Sequence, residues 1–223
     1  MAFVLVAYNK KLPLRKREKE MNFLLKIKRP FIWIKRFRKR CGYGVHSPFA
    51  FDFITNVIYE KTTYYAYFEI KQATEYEKVY YENSEKINRL LFRLVNKTQP
   101  NNIISTSNFS SKLYLRAAKK SACFLYLNKT SFLLPKEVNS IDFLYLSDYK
   151  DPISMEKILK DCLAYINQQS VIVIRGIHYS TSMKKLWKKT LMCECVGITF
   201  DLYDLGILFF DKTKLKQHYT VNF

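Results

Sequence analysis

Residues 141–174 read IDFLYLSDYKDPISMEKILKDCLAYINQQSVIVI. Two short apolar runs, Ile141–Leu146 and Val171–Ile174, flank a segment headed by Asp151-Pro152. Asp followed by Pro is an N-cap with proline in the first helical turn. Behind it Met155, Ile158, Leu159, Cys162, Leu163 and Ile166 recur at helical spacing, so the spacing predicts a helix carrying all six. The flanking runs do not alternate apolar with polar residues, which is how strands buried on both faces read. Strand, helix and strand of this kind build a parallel sheet covered by helices.

The pattern continues outward on both sides. Towards the N-terminus, Cys123–Leu127 (CFLYL) reads as another buried strand, Phe109–Lys120 as a weaker helix, and Ile103–Thr106 as a short strand. Before these, Ile87, Leu90, Leu91, Leu94 and Val95 mark one face of a helix that opens at Ser84 and ends before Pro100. Towards the C-terminus, Met183, Leu186, Trp187 and Leu191 predict a helix whose other face carries Lys184, Lys185, Lys188 and Lys189. Strands about Val196–Asp201 and Gly206–Phe210 follow, joined closely enough to be antiparallel, and His218–Phe223 is a last strand or tail. Ser47-Pro48 predicts a helix N-cap, and 41–83 reads as a helical segment joining a basic head, 1–40, to an α/β domain over 84–223.

The chain has 223 residues with 48% hydrophobic and 16% aromatic content, which excludes disorder throughout and allows a sizeable core. Its net charge is +19, but 14 Lys and Arg against 2 Glu stand in residues 1–40. Phe31, Ile32, Trp33, Ile34 and Phe37 interleave with the cations there. A basic segment with an apolar, Trp-bearing face suits anionic lipid or nucleic acid as partner; the plainer expectation is a helix packed on its own domain with solvated lysines. Ala2–Tyr8 is too short for a secretory signal and its charges follow rather than precede it, and no run is long enough to span a membrane. Met1 and Met21 are both candidate starts. Five cysteines, an odd count without C-x-x-C, imply reduced thiols in a cytoplasm, with a membrane-peripheral position open through the head. Cys193 and Cys195 would share a face if they lie on a strand, yet ligands at zinc spacing are missing. Only five glycines occur and none between Gly44 and Gly176, so Gly-rich phosphate cradles are excluded from that stretch.

Local text adds a family resemblance. Cys41–Phe49 (CGYGVHSPF), the helix after it and Tyr64-Tyr65-Ala66-Tyr67 resemble the opening of a group of bacterial class I SAM-dependent methyltransferase-like proteins. Leu90–Pro100, Ile177–Ser180 (IHYS), Phe200–Phe210 and Gln217–Phe223 resemble later parts of the same group, so the likeness covers roughly 35–223. It implies an α/β, Rossmann-like class I methyltransferase fold, a mostly parallel sheet with antiparallel C-terminal strands. Only thirteen residues, 128–140, separate two strands between which the family places a helix, a strand and a helix, so one strand unit is expected to be shortened or missing.

The family's chemistry positions are substituted. Where it carries a Glu and the first Gly after its first strand, this chain has Ser105 and Ser107. At the position of the ribose-binding acid it offers Leu127 or Asn128. Ser147 and Arg175 replace aspartates that hold a divalent ion in metal-using relatives, and Lys150 replaces a His, so no metal site is expected. The candidate catalytic residues left are His178, just beyond a strand end, and Asp148, the carboxylate nearest the pocket rim; each is also readable as structural. His46 reads as packing or capping, and Asp201 and Asp204 as shaping the final turn. Three functional readings follow. One is a methyltransferase fold that has lost its chemistry and binds or scaffolds, possessing no cofactor. Another is a divergent but active enzyme using S-adenosylmethionine, with Asn128, Asp148 and His178 in a remade pocket. The third is a basic nucleic-acid or membrane-surface module.

Overall fold

A computed structural model describes residues 27–76, 83–107, 109–127 and 139–223. Residues 27–35 form a helix (α1), followed by a 3₁₀ turn at Phe37–Lys39. Next come α2 (Pro48–Phe53), which runs on as a π-helical turn over Ile54–Ile58, α3 (Tyr65–Tyr76) and α4 (Glu85–Thr98). The sheet elements alternate with helices: β1 (Asn102–Ser105), α5 (Ser110–Ala118), β2 (Cys123–Tyr126), β3 (Ile141–Leu146), α6 (Pro152–Leu163), β4 (Ile166–Arg175) and α7 (Thr181–Met192). Three strands close the chain: β5 (Ile198–Asp201), β6 (Leu205–Phe209) and β7 (Gln217–Thr220).

The seven strands lie in the order β2-β1-β3-β4-β6-β5-β7. β1, β2, β3 and β4 pair in parallel, and β6 is antiparallel to both β4 and β5. The α/β, Rossmann-like architecture with antiparallel C-terminal strands expected from the sequence is therefore present. β7 also adds a parallel edge beside β5, which the strand-or-tail reading left open. Among the described residues β2 is an edge strand; most of 128–140, where a strand unit is expected to be shortened or missing, lies outside the described residues.

The non-alternating strands owe their composition to helices on both faces. Phe143 and Tyr145 of β3, with Val171 and Val173 of β4, face α2 and α4, where Leu90, Leu91 and Leu94 are fully buried. Leu144, Leu146, Ile172 and Ile174 face the other way, onto Met155, Leu159 and Cys162 of α6 and Met183 and Trp187 of α7. Side chains alternate across a strand, so the stretches of β3 and β4 covered on both faces must be apolar at successive positions to serve two cores. Burial of this kind contributes about 1.5–3 kcal/mol for each large aliphatic side chain. Gly206 of β6 makes room for this layer: a Cβ there would lie 2.5 Å from the Trp187 ring. Asp142, the polar interruption in IDFLYL, sits at the opposite end and accepts hydrogen bonds from the backbone N–H groups of Asn101 and Asn102 at 2.9 and 3.0 Å.

Both predicted proline caps form. Ser47 Oγ accepts from Ala50 N, and Asp151 Oδ1 accepts from Ser154 N at 3.1 Å. Four local expectations are corrected. Ile166 does not belong to α6, which ends at Leu163; it begins β4 and pairs with Ile141. CFLYL is a strand but not a buried one, because β2 is a sheet edge with Cys123 and Tyr126 exposed. Cys193 and Cys195 lie after α7 rather than on a strand, as free thiols with their Sγ atoms 2.8 Å apart. The helix predicted behind Ser47-Pro48 changes at Ile54 from α to π winding.

Candidate functional site at the carboxyl edge of the sheet

In open α/β sheets ligands bind beyond the carboxyl ends of the parallel strands, where the order of strands reverses. Here β1 lies between β2 and β3, so the reversal falls between the carboxyl ends of β1 and β3. Ser105 ends β1, and Ser147 follows β3. The gap between them is bridged at its root. Thr106 N–H donates to the Tyr145 carbonyl at 3.0 Å, Ser147 N–H donates to Thr106 Oγ1 at 2.9 Å, and the two hydroxyls stand 3.3 Å apart.

The loop after β1 is also closed on itself. Ser105 and Ser107 are buried. Ser105 Oγ accepts from Ser107 N–H at 3.0 Å and donates to the Ser107 carbonyl at 3.2 Å. Ser107 Oγ accepts from Phe109 N–H, and Ser111 Oγ donates to it at 2.7 Å. Beneath this loop the fully buried Tyr145 hydroxyl accepts from Asn83 Nδ2 at 2.9 Å; the same amide reaches Asn88, which donates to Ser110 Oγ. Of the two positions expected to meet a cofactor, Ser105 spends its hydroxyl on the Ser107 backbone and Ser107 spends its own on Phe109 and Ser111. Asn128 lies outside the described residues. Asp148 is half-buried after β3, and its carbonyl accepts from Asp151 N–H at 3.1 Å.

His178 stands two residues beyond Gly176, at the turn after β4. Gly176 has φ +70°, and a Cβ there would lie 2.6 Å from the Tyr149 side chain, so only glycine makes this turn without strain. His178 is not joined to Asp148. Its Nε2 donates to Asp201 Oδ2 at 2.6 Å, and its ring stacks on Tyr203 with centroids 5.1 Å apart. Arg36, reaching in from the turn after α1, bonds Asp201 Oδ1 at 3.0 Å and the Asp201 carbonyl at 3.1 Å. It also lies 3.4 Å from His178 Nε2. Arginine has donors only, and that nitrogen's proton already serves Asp201, so guanidinium and imidazole face each other without a second bond. Burial alone would raise the Asp201 carboxyl; the His178 hydrogen bond and the Arg36 charge outweigh it and hold the group below its ordinary value.

A second clasp lies beside the first. Arg29 pairs with Asp204 at 3.1 Å, and Tyr179 Oη donates to Asp204 Oδ1 at 2.8 Å. Burial, then the Asp204 charge, pushes the Tyr179 hydroxyl up, so it stays a donor. Asn222 adds backbone and side-chain bonds to the Lys39 and Trp33 carbonyls. Asp201 and Asp204 do shape the final turn, as Asp201 Oδ1 accepts from Tyr203 N–H at 2.8 Å. Their larger part, holding residues 27–40 against the sheet edge, is carried by partners 165 and 175 positions away in sequence. No local signal marks such pairs.

Arg175 sets its guanidinium 4.8 Å from the centre of the Tyr149 ring. Burial, then the charge of Arg175, lowers the affinity of Lys150 for its proton. Among the described residues no group of three or more His, Cys, Asp or Glu side chains is placed to hold a metal ion. His46 is exposed in the loop before α2.

No protein-family model matches the sequence, and no curated protein does. Solved structures of similar chain course include a methyltransferase from Podospora anserina crystallised with SAH bound. It is 8% identical, with a TM-score of 0.48, over 74% of this chain and 96% of that one. Another is an O-methyltransferase from Bacillus cereus in complex with SAH, 10% identical with a TM-score of 0.44, over 67% of this chain and 92% of that one.

Proposed function

We propose that this chain is a class I methyltransferase-family protein that has lost cofactor chemistry and keeps the fold as a binding or scaffold unit. The observation that carries the reading is the loop after β1. Its Ser105 and Ser107 are buried and bonded to each other, where the resemblance calls for a carboxylate and a glycine open to a cofactor. The residues present do not fit S-adenosylmethionine. Its ribose is held through carboxylate-type acceptors and its chain through close backbone approach, and neither is offered at these positions. The bridge from Thr106 to Ser147 and the engagement of His178 by Asp201 support the same reading.

The test is calorimetric titration of the full chain with S-adenosylmethionine and S-adenosylhomocysteine. The expected result is no saturable heat up to about millimolar ligand, corresponding to binding weaker than about −4 kcal/mol. Micromolar binding of either ligand would overturn the proposal. It would favour instead the reading of a divergent methyltransferase, with Asn128, Asp148 and His178 as the pocket residues to test by substitution.

A further inference from the structure

α1 and the turn after it present little apolar surface to the domain, where only Ile32 of its aliphatic residues is half-buried. A helix packed on its own domain turns apolar residues inward and charges outward. Here Arg36 is largely buried against Asp201, and Arg29, itself half exposed, reaches Asp204. The outward side carries Phe31 at 71% exposure and Ile34 at 65%, with Ile27, Trp33 and Phe37 about half exposed. Lys28, Lys35, Arg38 and Lys39 are exposed around them. No acidic residue stands between Glu20 and Asp52 to neutralise these cations from within the segment.

We propose that this outward face docks on an anionic lipid surface, Phe31 and Ile34 entering the boundary between headgroups and acyl chains while the cations meet lipid phosphates and carboxylates. Clustered exposed apolar side chains mark an interaction surface, and basic charge beside them matches an anionic interface. Nucleic acid fits less well. It would require flat rings with open faces for bases. Phe31 offers one open ring, but Ile27 and Ile34 offer none, and the Trp33 ring is packed edge-on against Phe37 at 5.1 Å with Arg40 over both rings, so successive bases find no row of platforms. Among the described residues no helix is long and apolar enough to cross a membrane, so the mode is adsorption, with the two arginine clasps fixing how the sheet domain sits above the surface.

The experiment is flotation of the full chain with vesicles of phosphatidylcholine alone or with about one third phosphatidylserine, alongside Trp quenching by brominated lipid. Trp187 is buried, so quenching reports on Trp33. The wild type is expected to bind anionic vesicles and to be quenched. Lys35→Ala/Arg38→Ala should weaken binding about five-fold per charge removed. Phe31→Ser/Ile34→Ser should abolish quenching while leaving the melting temperature within a few degrees, because both side chains are exposed. Equal flotation and quenching by either double variant, or no binding of the wild type to anionic vesicles, overturns the proposal. So does tighter binding to single-stranded RNA that Phe31→Ser/Ile34→Ser leaves unchanged. None of these readouts depends on S-adenosylmethionine, so their failure is separable from that of the preceding proposal.

Discussion

Asp201→Asn should destabilise the protein more than removal of the cation it binds. The Asp201 carboxylate receives Arg36 at 3.0 Å, His178 at 2.6 Å and the Tyr203 N–H at 2.8 Å. Asp201 and Arg36 side chains are only 17% and 12% exposed. An asparagine offers one oxygen to three donors and turns an N–H₂ towards another donor. Stranding one partner of a buried ion pair costs about 3–5 kcal/mol. Residual exposure and the Asp201 carbonyl, which Arg36 also reaches, bring the expectation to about 2–3 kcal/mol. That is a fall in melting temperature of about 4–12 °C for a chain of this size. Arg36→Met leaves the carboxylate bonded to His178 and Tyr203, so about 1–2 kcal/mol is expected. The double variant should then show a coupling energy of about 1 kcal/mol or more. Urea denaturation of all four proteins measures this, and tryptic cleavage near Lys39 and Arg40 should accelerate in the single variants. If Arg36→Met costs as much as Asp201→Asn, or the coupling is below about 0.5 kcal/mol, the clasp does not hold the segment as argued.

The acid response follows from the same carboxyl. Its folded pKa is depressed, so its contribution is complete above the unfolded value of about 4 and lost as pH falls through the folded one; the melting temperature between pH 5 and 3 should fall more for the wild type than for Asp201→Asn. Arg93, buried in α4, donates to the Val57 and Ile58 carbonyls at 2.7 and 3.0 Å where the π-helical turn ends. Arg93→Met should cost about 2–4 kcal/mol in the urea midpoint. Gly206→Ala places a methyl against the Trp187 ring and should cost about 1–3 kcal/mol, with a change in Trp emission on folding. Ser105→Glu should destabilise by about 3 kcal/mol or more and should not create binding of S-adenosylmethionine, read by thermal melting and calorimetry.

β3, α6 and the second half of β4 are legible because two covered faces demand apolar residues at Phe143–Leu146 and Val171–Ile174, and because Asp151-Pro152 is an unambiguous helix start. The same logic misread β2. Phe124, Leu125 and Leu127 form as apolar a run as those of β3, yet whether a run lies mid-sheet or at an edge depends on which strands come to flank it. Ile166 was misread because it falls at a helical interval from Cys162 and Leu163, while the break in winding at Ala164 and Tyr165 leaves no mark in hydrophobic spacing. At the candidate site, the residues at the ends of β1 and β4 could be placed from local text. The clasps could not. Arg29 and Arg36 look like any other cations of a basic head, and only the fold brings the β5–β6 turn to them.

The serines at the end of β1 make physical sense only together. A carboxylate at position 105 is tolerable where a ligand or solvent meets it; at a position with no exposure it would be an unpaired buried charge, costing several kcal/mol or titrating neutral. Serine carries a polar group small enough to be satisfied by one local N–H, and Ser107 supplies it at 3.0 Å. Ser107 Oγ in turn accepts from Phe109 N–H and from Ser111 Oγ. Placing a glutamate at position 105 therefore breaks a satisfied set without opening the space that residue needs. Ser105→Glu separates the alternatives sharply. In a closed loop its penalty should grow as pH rises above about 4, the usual carboxyl value, because the charged form is the one that cannot be buried. In an open cleft the added carboxylate would be solvated, stability would change little, and affinity for S-adenosylmethionine would rise.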